Sequence, residues 1–533
     1  MKKETAAQRI ERIKIEKDGL AVLEDIKQYA ASNTEIDPED IDRFKWYGLY
    51  TQNKNLQADT DNTLYFMLRI KLEHGSMNTP QMRCISQISR EFAQDTADFT
   101  TRQDIQLHFI KVVDLPEIFK RLNNVGLSTV FAAGDVPRNV ATCPVSGIEE
   151  KEIFDTTSLA NEINDYLRGN HELVNLPRKY KIGISGCHKH CIGHEIQDLS
   201  FTAVKIDGEV LFAVTVGGGL GSNKKIALHL GYIFKEQVLD TVKTITIIYR
   251  DYGLRDSRRK ARLGHLIDEW GLEKFKAFTE EKLGFAFIEK PIQEYMPYAR
   301  REHFGIHKST IVGKSYVGCA VNGGTIGSYG LNNLADILEK YNASTIKVTN
   351  TQNFIILDVP HENTEKLAKA LLDINIEANP SPFKARTISC TGINFCKFAV
   401  SETKYQATWL ASYLEQRFPD FDEHVSISLN GCPNSCAHPH VVDIGLMGAK
   451  VKDEEGNSVA GFELILGGNL EGEVSNFGFK TAIKILPKYL NRTVERIIEQ
   501  YINSGQNGLH RFLKENIENE NFIESLREVW RET

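Results

Sequence analysis

The feature that most limits how this 533-residue chain can fold is an internal repeat. Landmarks of the same type occur once in each half, in the same order, about 245 to 250 residues apart. The pairs are Gly75 and Gly324, Thr100 and Thr349, Cys143 and Cys390, Cys187 and Cys432, Cys191 and Cys436, and Gly217 and Gly467. One short motif can recur by chance, but a shared order at a nearly constant offset indicates duplication. The sequence therefore predicts two homologous halves.

Composition narrows the class of protein. At roughly 150 residues per domain, the length allows three or four domains. The formal charge of −7, with 41% hydrophobic and 25% charged residues, is typical of globular proteins and argues against a general nucleic-acid binder. No apolar run approaches the roughly 18 residues of a membrane span, and the first residues lack the apolar core of an export signal. We therefore expect a cytoplasmic protein, without a nucleic-acid or membrane partner, whose nine cysteines include metal ligands rather than disulfides.

Two segments of the first half have the alternating pattern of strands with one apolar face. In residues 63–72 the inward side chains are Leu64, Phe66, Leu68, Ile70 and Leu72, with Arg69 on the other face. In residues 98–111 the predicted inward side chains are Ile105, Leu107 and Phe109, and the outward ones are Arg102, Gln106 and His108. The pattern predicts a polar, cationic sheet face. That face is either a solvated surface or a binding surface.

The strongest chemical signal lies in the second half, where four cysteines form two pairs. Cys390 and Cys396 are separated by five residues, and Cys432 and Cys436 by three. On a helix the second pair would share one face, whereas the first pair must wrap around its ligand in a turn that contains Gly392. Thiolates select zinc or an iron-sulfur cluster, and the wide first spacing favours the cluster. Zinc and a set of inert buried cysteines are the alternatives.

Several motifs together resemble the sirohaem-dependent sulfite and nitrite reductases over roughly residues 40 to 500. These motifs are the two cysteine pairs, NGCPNSC (430–436), GDVPRNVATCP (134–144) and LPRKYKIG (176–183). The resemblance implies one [4Fe-4S] cluster, held by Cys390, Cys396, Cys432 and Cys436. It also implies one sirohaem, whose iron shares the thiolate of Cys436 with the cluster.

The same resemblance assigns roles to polar residues of both halves. Four cations match the positions that bind the substrate anion and supply protons, namely Arg69, Arg138, Lys179 and Lys181. Further residues match positions around the macrocycle or the cluster, namely Thr101, Arg102, Gln106, His108 and Asn434. For the lysines the alternative is a solvated basic run, and for Asn434 it is a role in the turn alone.

The first half lacks a complete second set of cluster ligands. It keeps Cys143, Cys187 and Cys191, but Glu149 stands at the position equivalent to Cys396. A relic of the duplicated ancestor is the simpler interpretation, and a small metal site that includes the nearby His188, His190 or His194 is the alternative. Conversely, Gly318 lies opposite Arg69 in the repeat. We therefore expect one composite site, with cluster ligands from the second half and substrate cations from the first.

The expected architecture is α+β, with two ferredoxin-like half-domains and two larger α/β domains around a pseudo-twofold axis. The predicted divisions are residues 1–45 (helical extension), 46–128 (first half-domain), 129–295 (first large domain), 296–378 (second half-domain) and 379–533 (second large domain). The connection between the halves is expected within residues 291–310.

The expected function is the six-electron reduction of sulfite to sulfide. In the family that the chain resembles, the residue two positions after the motif lysine tends to be Lys in sulfite reductases and Asn in nitrite reductases, and here it is Lys181. Nitrite reduction to ammonia is the first alternative, and a non-catalytic iron-sulfur electron carrier is the second. Because no flavin or nicotinamide signature is evident, the electron donor is expected to be a separate ferredoxin or flavoprotein subunit.

Overall fold

The computed structural model describes residues 4–32, 34–54, 56–58, 60–221, 223–293, 295 and 300–529. Residues 294 and 296–299 of the predicted connection lie outside this set. Across the described residues, no helix is both long enough and apolar enough to cross a membrane.

Three helices precede the first sheet, namely α1 (Ala6–Glu16), α2 (Val22–Ser32) and α3 (Pro38–Arg43). Helix α1 begins at a capping box, in which the Thr5 side chain accepts a hydrogen bond from the Gln8 amide at 3.2 Å. Its buried Lys14 forms an ion pair with Glu11 at 2.6 Å and lies 3.6 Å from Asp135. The N-terminal helices therefore pack against the body of the protein.

The first half-domain is a four-stranded antiparallel sheet in the order β1-β2-β5-β4, with two helices. Its elements are β1 (Leu49–Thr51), β2 (Phe66–Ile70), β3 (Ser76–Asn78), α4 (Thr79–Phe92), β4 (Asp98–Phe99), β5 (Ile105–Ile110) and α5 (Leu115–Asn124).

Of the two strands predicted in this half-domain, one is confirmed and the other is divided in two. The predicted inward side chains of β2, Phe66, Leu68 and Ile70, are fully buried. The prediction of a single strand over residues 98–111 is wrong, because a tight turn divides this segment into β4 and β5. Phe109 has a positive φ of 59° beside a register shift, and Ile110 occupies the core instead.

The first large domain is built around a five-stranded mixed sheet. Strands β6, β7 and β8 are parallel, and β9 and β10 continue the sheet antiparallel. Its elements are β6 (Ala141–Thr142), α6 (Thr157–Leu167), β7 (Ile182–Ser185), β8 (Leu199–Ile206), β9 (Glu209–Val216), β10 (Leu228–Ile233), α7 (Val238–Tyr252), α8 (Leu263–Trp270) and α9 (Leu272–Leu283).

The second half-domain repeats the first and shares strands with it. Its elements are β11 (Gly305–Lys308), β12 (Lys314–Val321), α10 (Gly327–Lys340), β13 (Thr345–Val348), β14 (Phe354–Pro360), α11 (Thr364–Leu371) and β15 (Ile376–Glu377). Strand β3 of the first half pairs with β13, and Asp98 of β4 forms a bridge with Thr325. This reciprocal exchange gives the two half-domains one continuous apolar core.

The second large domain has the same sheet topology as the first, with β16, β17 and β18 parallel and β19 and β20 antiparallel. Its elements are α12 (Pro382–Arg386), β16 (Thr387–Ser389), α13 (Lys404–Arg417), β17 (Ile427–Asn430), β18 (Ile444–Lys452), β19 (Ser458–Leu466), β20 (Phe479–Ile485), α14 (Leu490–Ser504), α15 (Leu509–Asn516) and α16 (Glu520–Glu528). The predicted α+β duplication is confirmed.

The duplicated sheets also explain where the cysteines lie. Cys143 and Cys390 directly follow β6 and β16, and Cys187 and Cys432 each stand two residues beyond the end of β7 and β17. The carboxyl ends of neighbouring parallel strands meet at one edge of a sheet, which is a common position for ligands. Each large domain therefore gathers its cysteines at the same edge.

Candidate active site

The loop from Cys390 to Cys396 is a tight turn. Gly392 has a φ of +73°, and its carbonyl accepts a hydrogen bond from the Cys396 amide at 2.9 Å. A Cβ atom on Gly392 would lie 2.7 Å from the Thr403 Oγ1 atom, so glycine is required by both conformation and space. The predicted turn around Gly392 is confirmed.

The second cysteine pair does not lie on a helix, although the i, i+4 spacing of Cys432 and Cys436 is compatible with one. Residues 431–440 form successive turns, and Ser435 has a left-handed φ of 54°. Pro and Asn at positions 433 and 434 favour such turns over a continuous helix. Asn434 acts within this turn, where its amides lower the pKa of Cys432 by hydrogen bonding. Burial is the larger effect and raises that pKa to about 11.

The four thiols share one electrostatic environment. Burial and the charge of Cys436 together raise the pKa of Cys390 to about 12, although the Gly431 amide donates a hydrogen bond to its Sγ atom at 3.1 Å. Burial and Cys436 also raise the pKa of Cys396. Cys432 is buried, Cys390 and Cys396 are half-buried, and Cys436 is exposed. Thiols lose their protons when a metal centre binds them.

The spacing of the four sulfurs fits a cluster better than one ion. Around a single ion, metal–sulfur bonds of about 2.3 Å put tetrahedral sulfurs about 3.8 Å apart. Among the described residues, two groups of three or more ligand atoms lie within 4.8 Å of one another, and neither group contains these four cysteines. The four sulfurs therefore do not lie as close together as a single ion would require.

Two arginines of the first half meet at the loop that follows the first half-domain. Arg69 and Arg138 both donate to the Ala132 carbonyl, at 3.3 and 3.0 Å. Arg138 makes two further hydrogen bonds to the Gly134 carbonyl, so all three nitrogens of its guanidinium group donate to backbone carbonyls. The Arg69 Nε atom is buried and has no hydrogen-bond partner among the described residues. Arg69 is therefore the arginine better placed to bind an added anion.

Tyr50 was not identified from the sequence, yet it lies among these cations. Its hydroxyl accepts a hydrogen bond from Arg138 at 3.0 Å, and the Arg69 guanidinium lies 6.0 Å from its ring centre. Burial alone would raise the pKa of Tyr50, but Arg138, Arg69 and Lys179 lower it to about 7. A lone tyrosine within a three-residue strand carries no sequence signal that could have found it.

Lys179 and Lys181 form the second group of cations. Burial and the neighbouring Arg178 and Arg262 lower the pKa of Lys179 to about 8, while the charge of Cys436 opposes this shift. Burial and Lys179 lower the pKa of Lys181 in the same way.

The carboxylate beside these lysines is already engaged. Asp198 forms a bidentate pair with Arg262 at 2.6 and 2.8 Å, and it accepts a hydrogen bond from the Lys181 backbone amide at 2.8 Å. Positive charge therefore exceeds negative charge at this place, which favours an anionic ligand.

Polar residues of the first half touch the cysteine loops of the second. The Thr101 hydroxyl donates to the Cys436 carbonyl at 3.0 Å, and Gln106 donates to the Thr391 hydroxyl at 3.0 Å. His108 is fully buried and stacks on Phe395, with ring centres 3.9 Å apart. These contacts bring the two halves together around the thiols.

Arg102 is also buried rather than solvated. It donates to the Gln197 side chain at 2.5 Å and to the Ile182 carbonyl at 3.1 Å, and it contacts the Asn139 carbonyl. Burial lowers the pKa of Arg102 to about 10. Its Nε atom has no hydrogen-bond partner within the described part of the chain. Arg102 therefore joins β7 to the loop that carries Arg138 and retains one free donor.

Comparison with known proteins identifies the family. The nitrite and sulphite reductase 4Fe-4S domain matches residues 133–287 and 383–532, and the nitrite/sulfite reductase ferredoxin-like half domain matches residues 58–125 and 312–374. The chain belongs to the nitrite and sulphite reductase family. It is therefore an oxidoreductase, and the predicted pair of ferredoxin-like half-domains is confirmed.

Relatives named as sulfite reductases and relatives named as nitrite reductases are both similar to this chain. A protein named sulfite reductase [ferredoxin] 1 from Mycolicibacterium paratuberculosis is 36% identical over 93% of this chain and 92% of its own length. A ferredoxin–nitrite reductase from Synechococcus elongatus is also 36% identical, over 87% and 90%. The solved structure of the Mycobacterium tuberculosis NirA protein has a TM-score of 0.89 at 33% identity and covers 96% of each chain.

The cofactors of this reductase family are a sirohaem and a [4Fe-4S] cluster, and the residues present fit both. Four thiols converge without closing on a single ion, which suits the cluster. The excess of buried positive charge, with unpartnered Nε atoms on Arg69 and Arg102, suits a macrocycle that carries many carboxylates.

Proposed function

We propose that this protein reduces sulfite to sulfide with six electrons. The observation that carries the proposal is the second lysine, Lys181, next to Lys179 in a region of excess positive charge. Sulfite is partly dianionic near neutral pH, so an additional ammonium group favours it over monoanionic nitrite.

In this proposal the second half holds the redox centre. Cys390, Cys396, Cys432 and Cys436, all free cysteines, would hold the [4Fe-4S] cluster, and Cys436 would also be a ligand of the sirohaem. When bound, the sirohaem supplies the iron centre at which the substrate is reduced and the coupling that draws electrons from the cluster. Thr101 and Gln106 orient the two cysteine loops through their hydrogen bonds to Cys436 and Thr391.

The first half binds the substrate anion and supplies protons. Arg69 offers a planar fork for an oxyanion, and Arg138 fixes the loop against which Arg69 lies. The three oxygens of sulfite leave as water, so the site must deliver protons repeatedly. Lys179, with a pKa of about 8, holds a proton at neutral pH and can release it more readily than an ordinary lysine.

The remaining site residues, the domains and the electron donor are assigned as follows. Arg102, His108 and Asn434 support the cofactor pocket, and Lys181 binds substrate. The chain divides into residues 1–45, 46–128, 129–295, 296–378 and 379–533, with the large domains holding the cofactors. A ferredoxin supplies the electrons, a donor supported by relatives that are named sulfite reductase [ferredoxin] and ferredoxin–nitrite reductase. A flavoprotein subunit is the alternative donor.

Nitrite reduction to ammonia is the second candidate function. It is favoured by the ferredoxin–nitrite reductases of Synechococcus elongatus and Leptolyngbya laminosa, which are 36% and 34% identical to this chain. The same residues would serve both substrates, so the distinction is the ratio of two kcat/KM values.

The deciding experiment measures kcat/KM for sulfite and for nitrite on one anaerobic, sirohaem-loaded preparation with a reduced viologen as donor. It is repeated on Lys181→Asn and on the control Lys205→Asn, which removes an exposed lysine of β8. We expect a preference for sulfite that shifts toward nitrite only in Lys181→Asn. A native preference for nitrite would contradict the proposed substrate, and the absence of turnover with either anion would favour an electron carrier.

A further inference from the structure

A second group of metal-ligating atoms lies outside the proposed active site. The Sγ atoms of Cys143, Cys187 and Cys191 and a ring nitrogen of His303 all lie within 4.8 Å of one another, and all four residues are buried. The His303 Nε2 atom is 3.7 Å from the Cys143 sulfur and 3.3 Å from the Cys187 sulfur. The three cysteines occupy the repeat positions of Cys390, Cys432 and Cys436, whereas His303 comes from the connection between the halves.

The short distances between these ligand atoms fit a single metal ion rather than a cluster. With zinc–sulfur bonds of about 2.3 Å and a zinc–nitrogen bond of about 2.0 Å, tetrahedral geometry puts sulfur and nitrogen about 3.5 Å apart. The two sulfur–nitrogen distances, 3.3 and 3.7 Å, lie on either side of this value. A cubane cluster needs a wider set of sulfurs, so the loss of the fourth thiol at Glu149 has left a smaller site.

We propose that Cys143, Cys187, Cys191 and His303 bind a structural zinc ion. Three thiolates and one imidazole are a closed tetrahedral ligand set for zinc, and burial of all four leaves no open position for catalysis. The Glu149 carboxylate lies 3.6 Å from the other ring nitrogen of His303. This distance is longer than a hydrogen bond, so the carboxylate places negative charge beside His303 but does not by itself orient the ring.

The histidines expected near these cysteines do not supply the fourth ligand. His188 lies 3.6 Å from Glu149, and His190 and His194 pack against Tyr295 with ring centres 4.6 and 4.5 Å away. Glu149, Cys187 and His188 do form a neighbouring group of ligand atoms within 4.8 Å. An ion held there would have one sulfur ligand instead of three, so the two sites are distinguishable by spectroscopy.

The position of the site gives the ion a structural role. Cys143 and Cys187 stand beyond the carboxyl ends of β6 and β7, and Lys181 directly precedes β7 at its other end. His303 comes just before β11, where its carbonyl would lie 1.8 Å from a Cβ atom on Gly318. Zinc would therefore fasten the connection between the halves to the strands of the substrate-binding half.

The test measures metal content of the cofactor-loaded protein, purified from zinc-supplemented cells, by mass spectrometry. We expect about one zinc per chain in the wild-type protein, with zinc-edge X-ray absorption showing three sulfurs at about 2.3 Å and one nitrogen at about 2.0 Å. Cys143→Ser and His303→Ala should lose zinc and keep the iron and the sirohaem absorbance. The control Cys84→Ser, which changes a half-buried thiol outside the group, should keep all three.

Three results would overturn the proposal. They are wild-type protein without zinc above the buffer level, an iron ion bound at these residues, and an absorption spectrum with a single sulfur ligand. Because the spectrum is measured on the wild-type protein, the test holds even where a variant does not fold. Alkylation of the three cysteines in the native wild-type protein, read by peptide mass spectrometry, is a second measurement. Because the three thiols are buried, protection supports the site only if it is lost when a zinc chelator is added, and rapid modification before chelation contradicts the site.

Discussion

The buried ion pair between Glu195 and Arg301 should stabilise the contact between the two halves. Arg301 binds both carboxylate oxygens at 2.7 and 3.0 Å, and the side chains are 3% and 0% exposed. Arg301 also donates to the Leu470 carbonyl, and the Gly472 amide donates to Glu195 at 3.1 Å. The pair therefore joins the first repeat, the connection and the second repeat.

Glu195→Gln removes the charge and keeps the shape, including an oxygen that can accept from Gly472. Arg301, despite opposing burial, lowers the pKa of Glu195 from 4.5 to about 2, which corresponds to about 3 kcal/mol. Breaking one partner of a buried pair typically costs a similar amount, about 3 to 5 kcal/mol. A loss of 3 kcal/mol increases the population of the locally opened state roughly 150-fold.

Hydrogen exchange measures this opening without requiring two-state unfolding of a multidomain protein. At pH 7 we expect the hydrogen-exchange protection of peptides that contain Gly472 and Arg301 to fall about 100-fold in Glu195→Gln. The control Asp207→Asn breaks an exposed pair with Lys290 and should leave protection unchanged. Because the folded-state pKa is lowered, the effect should be constant above about pH 4.5 and shrink toward pH 2. A change below about threefold at pH 7 would refute the reasoning.

Three further predictions concern the active site and the repeat. Since the pKa of Lys179 is lowered to about 8, chiefly by burial, kcat/KM should fall about tenfold from pH 7 to pH 9 as the ammonium loses its proton. Lys179→Arg should remove this pH dependence, and an unchanged profile in the variant would contradict the assignment. Gly392→Ala places a methyl group against Thr403 and should reduce cluster iron per chain, measured by iron analysis; full occupancy would contradict this. Gly318→Ala collides with the His303 carbonyl and should lower the thermal unfolding midpoint by several degrees, whereas an unchanged midpoint would show that the connection moves freely.

Local patterns predicted local structure only where no irregularity interrupted them. The alternation in β2 gave its buried face correctly, since i and i+2 residues of a regular strand share a side. It failed at Phe109, where a positive φ and a register shift move the core position to Ile110. The i, i+4 spacing of Cys432 and Cys436 was compatible with a helix, but the chain between them turns instead.

The sequence by itself determined the duplication, the fold class and the set of four cysteines, because each depends on spacing along the chain. Tertiary structure decided which residues meet. Thr101 contacts Cys436 and His303 joins Cys143 across separations of 335 and 160 residues. No local periodicity records such contacts, because they arise only when two similar halves exchange strands and pack their sheet edges together. The sequence replaces the fourth thiol of the first repeat with Glu149, but only packing brought His303 to the three thiols that remain.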